Sequence, residues 1–209
     1  MTATLAELLA EARALGFLGP GPLETHLAHA RAFADAVEGA RDAVPRAAVD
    51  LGSGAGIPGL VLAAHWPAVS FLLVEANGRR AAFLLRAVRE LALEGRVTVL
   101  AERAESLGRT PEKRGGFDLV TSRGFGRPAV VAECAAPFLS PGGRLVVSEP
   151  PPDGSPVEAR WPPEGLARVG MGPAEPVGAA YRFAVVTQEA LCPVRFPRRV
   201  GVPTKRPLF

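Results

Sequence analysis

The sequence predicts an α/β fold, a mostly parallel sheet wrapped by helices, and three observations predict it. From Arg46 onward, short apolar runs alternate with segments of helical periodicity. The first run, Ala47-Ala48-Val49, passes into a loop carrying Gly52, Gly54, Gly56 and Gly59, and then into the apolar stretch Leu60 to Ala64. The next run, Phe71-Leu72-Leu73-Val74, ends on an acid, Glu75. A strand, a glycine loop and a helix, followed one strand later by an acid, is the layout of a nucleoside site. The glycines admit the ligand close to the backbone, and the acid accepts hydrogen bonds from ribose hydroxyls.

The elements follow in order. Leu5, Leu8, Leu9, Ala12 and Leu15 keep helical spacing, so residues 3–16 form an amphipathic helix stopped by Gly16 and Gly19-Pro20-Gly21-Pro22. A second helix runs from Leu23 to Val37 and stops at Gly39. Strands are expected near 46–50, 70–75, 96–100, 117–121 and 143–148, and helices near 57–65, 78–93 and 127–138, with a shorter one around 103–108. Glu149 to Pro156 is too rich in proline for a helix or a central strand and reads as an exposed loop. Tyr181 to Gln188 and Leu191 to Phe196 read as a closing C-terminal β-hairpin. No internal repeat is visible. The expected organisation is one domain over 1–209: an N-terminal helical cap (1–40), a Rossmann-like core (46–196) and a basic tail (197–209).

Composition narrows the function classes. Hydrophobic content of 48% with 22% charged residues describes a globular chain, not a disordered one. No apolar run approaches the roughly 18 residues of a membrane span, and the start lacks the basic and apolar blocks of a signal peptide. A cytoplasmic protein without a membrane partner is expected. Cys134 and Cys192 have no His or Cys at ligand spacing and read as core residues. His26 and His29 lie one helical turn apart without a third ligand, so no metal is expected. The net charge is only +3, but no acid follows Glu189 while Arg195, Arg198, Arg199, Lys205 and Arg206 do. Such an end is either a solvated tail or a set of phosphate contacts.

The cofactor is chosen by three features. Gly54-Ala55-Gly56-Ile57-Pro58-Gly59 formally satisfies the dinucleotide pattern, which alone is weak. Asp50 ahead of Gly52 gives the acid-x-Gly-x-Gly-x-Gly order of methyltransferases. Pro58 removes an N–H where a pyrophosphate wants donors. A carboxylate so near the loop is tolerable beside a sulfonium cofactor with an amino-acid end. These features favour S-adenosylmethionine; a nicotinamide cofactor is the competing reading.

Several segments then line up with one family. The loop Asp50 to Gly59, with its Pro-Gly ending, resembles the cofactor loop of the ribosomal small-subunit methyltransferase G family, also called glucose-inhibited division protein B. Asn77-Gly78-Arg79-Arg80-Ala81-Ala82-Phe83-Leu84, Arg103-Ala104-Glu105, Ser122-Arg123-Gly124-Phe125 and the ending Phe196 to Leu208 resemble its later motifs in the same order. The resemblance implies a Rossmann-like class I S-adenosylmethionine-dependent methyltransferase acting on N7 of a guanine in small-subunit ribosomal RNA, free or in its ribosomal particle. It implies a cofactor pocket lined by Gly52, Gly54, Gly56, Ile57, Ala104, Glu105 and Arg123, with Glu75 on the ribose. On the substrate side it implies Arg123, Phe125, Arg198, Arg199 and Lys205, with Phe125 either stacking on a base or filling core.

The chemistry agrees, because guanine N7 presents a lone pair and needs no base; positioning is the work. No Asn-Pro-Pro-Tyr amino-methylating motif follows strand four, and Cys134 falls within a helix, not where a pyrimidine carbon-5 enzyme keeps its nucleophile. The chain departs from the family on the substrate side. His29-Ala30 stands in place of the family's Asp-Ser region, Ser148-Glu149-Pro150 in place of a Lys-Gly, and Gln188-Glu189 in place of a lysine. Glu149 would put an acid where RNA approaches. The departures leave open a methyltransferase with another substrate, or a non-catalytic ribosome-associated binder.

Overall fold

The computed structural model describes residues 3–39, 44–151 and 154–209. Met1-Thr2, the cap's last residue Ala40, and Pro152-Asp153 of the expected loop lie outside the described residues. The chain runs α1 (Leu5–Ala14), α2 (Leu23–Glu38), β1 (Ala47–Leu51), α3 (Gly59–His65), β2 (Ser70–Val74), α4 (Gly78–Glu90), β3 (Val97–Leu100), α5 (Ala104–Leu107) and β4 (Phe117–Ser122). It continues through α6 (Pro128–Ala135), β5 (Leu139–Ser148), α7 (Val157–Arg160), α8 (Pro163–Ala167), β6 (Met171–Val177), β7 (Phe183–Gln188) and α9 (Val202–Lys205). The strands form one seven-stranded sheet in the order β3-β2-β1-β4-β5-β7-β6. The first five pair in parallel, and β7 is antiparallel to both β5 and β6. No helix among the described residues is long and apolar enough to cross a membrane.

Side-chain alternation divides the core. Val49, Leu51, Leu72 and Val74 pack on one face with Val130, Cys134, Phe138 and Trp161. Ala48, Phe71 and Leu73 pack on the other with Leu60, Leu62, Phe83, Leu84 and Phe33 of the cap. The chain turns from β1 to β2 on one side and later returns to β4 on the other. The gap between β1 and β4 is therefore the switch point at which such sheets bind ligands.

One buried acid fixes that point. Asp50 lies on the helix-α3 face of β1, 1% exposed. Its Oδ1 accepts from the Thr121 hydroxyl on β4 at 2.8 Å, and its Oδ2 accepts from the Gly59 N–H that starts α3 at 3.2 Å. A β-carbon on Gly59 would lie 2.6 Å from that oxygen, so the approach requires glycine. The donors of the first helical turn point inward: Gly59 serves Asp50, Leu60 serves the Gly56 carbonyl at 2.8 Å, and Pro58 has none. The glycine loop thus has its helix-start donors engaged by the protein itself.

Two expectations are corrected. The closing hairpin is β6 with β7, and residues 191–196 form no strand. Pro173 and Pro176 disguise β6, which an edge strand tolerates, while the Arg114 guanidinium takes the carbonyls of Cys192, Pro193 and Phe196. The basic tail is a folded strap, not a solvated end. Phe196, Pro203 and Leu208 are buried, Arg168 donates to the Leu208 carbonyl at 2.7 Å, and Arg198 grips Glu133 at 2.6 Å.

Glu133 is fully buried. Arg198→Ala would leave its charge unpaired, a loss of about 3–5 kcal/mol that lowers the midpoint of thermal unfolding by on the order of 10 °C, readable by calorimetry. Asp50 gives a pH signature. Burial raises its pKa to about 6 against the hydrogen bonds from Thr121, Ser53 and Gly59, which oppose the shift. Between about pH 4 and 6 the folded chain holds a proton that the unfolded chain has released, so this contribution to stability falls as pH rises and is flat above. His29 has the opposite sign: burial first, then the nearby Arg123 charge, lowers its pKa to about 4, so its contribution is lost as pH falls. Asp50→Asn keeps an acceptor for the Gly59 amide and turns an amide donor toward the Thr121 oxygen, and His29 is common to both proteins. The stability of wild type relative to D50N should therefore decline from pH 4 to 6 in urea titrations.

Candidate active site

Strand register brings the candidate residues together. Leu51 pairs with Val74 on one side and Ser122 on the other, so Gly52, Glu75 and Arg123 occupy the next row at the carboxyl ends of β1, β2 and β4. Val74 pairs with Leu100, which carries Ala104 and Glu105 to the same end through a short turn. A cleft with two adjoining lobes opens there. One, of about 250 Å³, is lined by Glu75, Ala76, Ala104, Glu105 and Phe125. The other, of about 210 Å³, is lined by Ser53, Gly54, Ala55, Ile57 and Arg123, with Phe17, Leu18 and Gly19 from the cap. Gly52, Arg80 and Gly124 border both lobes. Together the lobes reach the range of roughly 300–1,000 Å³ usual for small-molecule sites.

Glu75 is 6% exposed, and its carboxylate is held at both ends. Oε2 accepts from the Gly54 N–H at 2.9 Å and Oε1 from the Asn77 N–H at 2.8 Å. Each oxygen keeps a second lone pair, so the clamp orients the acid without exhausting it. Glu105 is 1% exposed. Burial opposes its ionisation, yet Arg103 at 3.0 Å and the Gly201 N–H at 3.1 Å outweigh that and lower its pKa. Its Oε2 is buried without a partner. Gly52 has φ +69°, and a β-carbon there would come 2.8 Å from the Phe125 ring, so the lobe's floor and roof meet without a side chain between them. A buried acceptor lacking a partner and a clamped acid fit a nucleoside in the larger lobe. Cations fit a carboxylate in the smaller one: Arg123, whose pKa burial lowers, and Arg80.

The other candidates divide between the cleft and the rest of the fold. Gly56 turns inward, where a β-carbon would meet Leu60, so it shapes the loop and does not face the cleft. Ile57 lines the cleft and also packs on Leu9 and Ala30 of the cap. Phe125 is half-buried, with one side on the core and the other on the larger lobe. Arg199 and Lys205 are exposed on the strap, whereas Arg198 is occupied by Glu133 and serves the fold. Glu149 does not present a bare charge. Arg160 at 2.7 Å and the Trp161 indole N–H at 3.1 Å take its oxygens, and its side chain is 9% exposed. His26 and His29 belong to no cluster of metal-ligating residues among those described.

Sequence reasoning missed Arg80, the cap residues Phe17 to Gly19, and His26. Arg80 had a signal: Asn77 caps α4 through the Arg79 and Arg80 amides, which sets Arg80 at the first turn facing the loop. The cap had none. Phe17 reaches the cleft because it packs edge-on against Phe83 and beneath Arg79 and Arg80, a tertiary arrangement.

The chain is similar to known proteins in sequence and in fold. The family profile described as rRNA small subunit methyltransferase G matches residues 22–149. The chain is 38% identical over 176 residues to the ribosomal RNA small subunit methyltransferase G of Roseiflexus castenholzii, covering 79% of this chain and 72% of that one. The protein of the same name from Chloroflexus aggregans is 35% identical over 184 residues, covering 85% and 77%. Among solved structures, cofactor-bound Rv0187 from MTB superposes with a TM-score of 0.61 at 18% identity, covering 89% of each chain. A Klebsiella pneumoniae protein provisionally named an O-methyltransferase gives the same TM-score at 14% identity, covering 89% and 90%. The fold is thus that of class I S-adenosylmethionine-dependent methyltransferases, and the chain belongs to the rRNA small subunit methyltransferase G family.

Proposed function

We infer that this chain transfers a methyl group from S-adenosylmethionine to N7 of a guanine in small-subunit ribosomal RNA. One observation carries the reading: in a chain of this family, Gly52, Glu75, Ala104, Glu105 and Arg123 converge on one cleft at the β1–β4 switch point. Bound S-adenosylmethionine supplies an electrophilic methyl on its sulfonium. Glu75 would hold the ribose hydroxyls, the Ala104-Glu105 turn the base, and Arg123 with Arg80 the carboxylate. Guanine N7 would meet that methyl with its own lone pair, and no proton would have to be removed. The chain therefore needs to align and to exclude water, not to supply a base.

On the substrate side, Phe125 at the mouth offers a face for stacking, and Arg199 and Lys205 offer exposed cations for phosphates. The pairing of Glu149 with Arg160 removes the acid that favoured a different substrate. We read 1–209 as one methyltransferase domain, because the strap packs on the same core as the sheet. We further propose that it works in the cytoplasm, where the RNA is made, on the RNA or its ribosomal particle, without membrane or metal.

Tritiated methyl should pass from S-adenosylmethionine to small subunits from a strain lacking the family's enzyme. Digestion should return the label as 7-methylguanosine, and Arg123→Ala should abolish transfer with the fold intact; label elsewhere, or none, would overturn the reading. Replacing Arg199 and Lys205 together with alanine should leave unfolding unchanged and flatten the dependence of log affinity on log salt by about one to two, measured by filter binding.

A further inference from the structure

The cap and the cleft are joined through one buried imidazole. His26, on the first turn of α2, is 7% exposed. Its Nε2 lies 3.1 Å from the Gly19 carbonyl and 3.1 Å from the Pro20 carbonyl. Both partners can only accept, so Nε2 carries the proton and Nδ1 keeps its lone pair. That lone pair faces the Arg123 guanidinium, whose Nη2 donates to it at 2.7 Å. The imidazole thus holds the loop that lines the smaller lobe and, with its other nitrogen, the cation that lines the same lobe.

The acceptor's neutrality matters. Arg198 and Arg103 each meet a carboxylate, Glu133 and Glu105, and their charge is matched within the fold. Arg123 makes no ion pair among the described residues; Asp50, behind the loop, acts on it only through the field. A neutral acceptor fixes the direction of the guanidinium and leaves its charge for a ligand. An acid in the same place would neutralise it.

We propose that His26 is a positioning residue that aims Arg123 at the carboxylate of the cofactor's amino-acid end, and so selects ligands carrying that end. The inference rests on the reading that this cleft binds S-adenosylmethionine. Two substitutions separate the two nitrogens. His26→Gln can place a donor near the Nε2 position and keep the tie to Gly19 and Pro20, but offers Arg123 no acceptor at Nδ1. His26→Asn can place an acceptor near Nδ1 and keeps the tie to Arg123.

The experiment is titration calorimetry with two ligands, S-adenosylmethionine and 5′-methylthioadenosine, which lacks the amino-acid end, on folded variants verified by thermal melts. H26Q should weaken S-adenosylmethionine about five- to tenfold and leave 5′-methylthioadenosine within twofold, as expected for the loss of aim on one charge-assisted contact. H26N should stay within about threefold on both. In the Arg123→Ala background H26Q should cause no further loss, because the two act through one contact. Equal weakening of both ligands by H26Q, additive losses in the double variant, or H26N failing as H26Q does would make His26 a purely structural residue and overturn the proposal. Wild type that binds neither ligand would instead refute the cofactor assignment itself.

Discussion

The site depends on a buried carboxylate that joins three elements. Asp50 lies next to the end of β1, accepts from a hydroxyl on β4, and accepts from the first amide of α3. Taking an acid out of water is costly, and the rise of its pKa to about 6 expresses that cost. Its geometric consequence is that the glycine loop closes tightly between β1 and α3. With Gly59 and Leu60 donating inward and Pro58 lacking an N–H, the helix start offers little to a pyrophosphate. Binding groups come instead from around the loop: a clamped acid at β2, a turn after β3 and a cation after β4. That division suits a ligand with a nucleoside at one end and an amino acid at the other.

Arginine serves several unlike purposes here, and its partner decides which. Arg96 donates to the carbonyls of Trp66 and Val69, and Arg114 to those of the segment before the strap, so both tie loops. Arg198 neutralises a buried acid. Arg123 rests on a neutral imidazole and keeps its charge available. Arg199 and Lys205 stand in water on a strap whose backbone the neighbouring arginine anchors. A positive C-terminus is therefore not one feature but a rigid mount carrying a few free cations.

Much of this was legible in the sequence because it depends on local order. Strand, loop and helix alternation placed β1 to β5 within a residue or two, apart from an earlier start of β5 at Leu139, and the order of motifs put Gly52, Glu75, Glu105 and Arg123 at one sheet end. What was illegible depends on pairings across the chain. The prolines of β6 concealed an edge strand. Nothing near Arg198 announces Glu133, sixty-five residues away. Glu149 reads as a bare acid until Arg160 and Trp161 fold back on it. His26 reads as one of a histidine pair without a third ligand until its two nitrogens meet the cap loop and Arg123.

The central claim is that the loop and its surroundings are shaped for an amino-acid-bearing nucleoside and not for a dinucleotide. Competitive titration of the purified chain with S-adenosylmethionine and with reduced nicotinamide adenine dinucleotide, followed by calorimetry and nicotinamide fluorescence, tests it directly. S-adenosylmethionine should saturate the cleft, with no dinucleotide binding at concentrations where it is saturated. Dinucleotide binding that displaces S-adenosylmethionine, or binds in its stead, would contradict the claim.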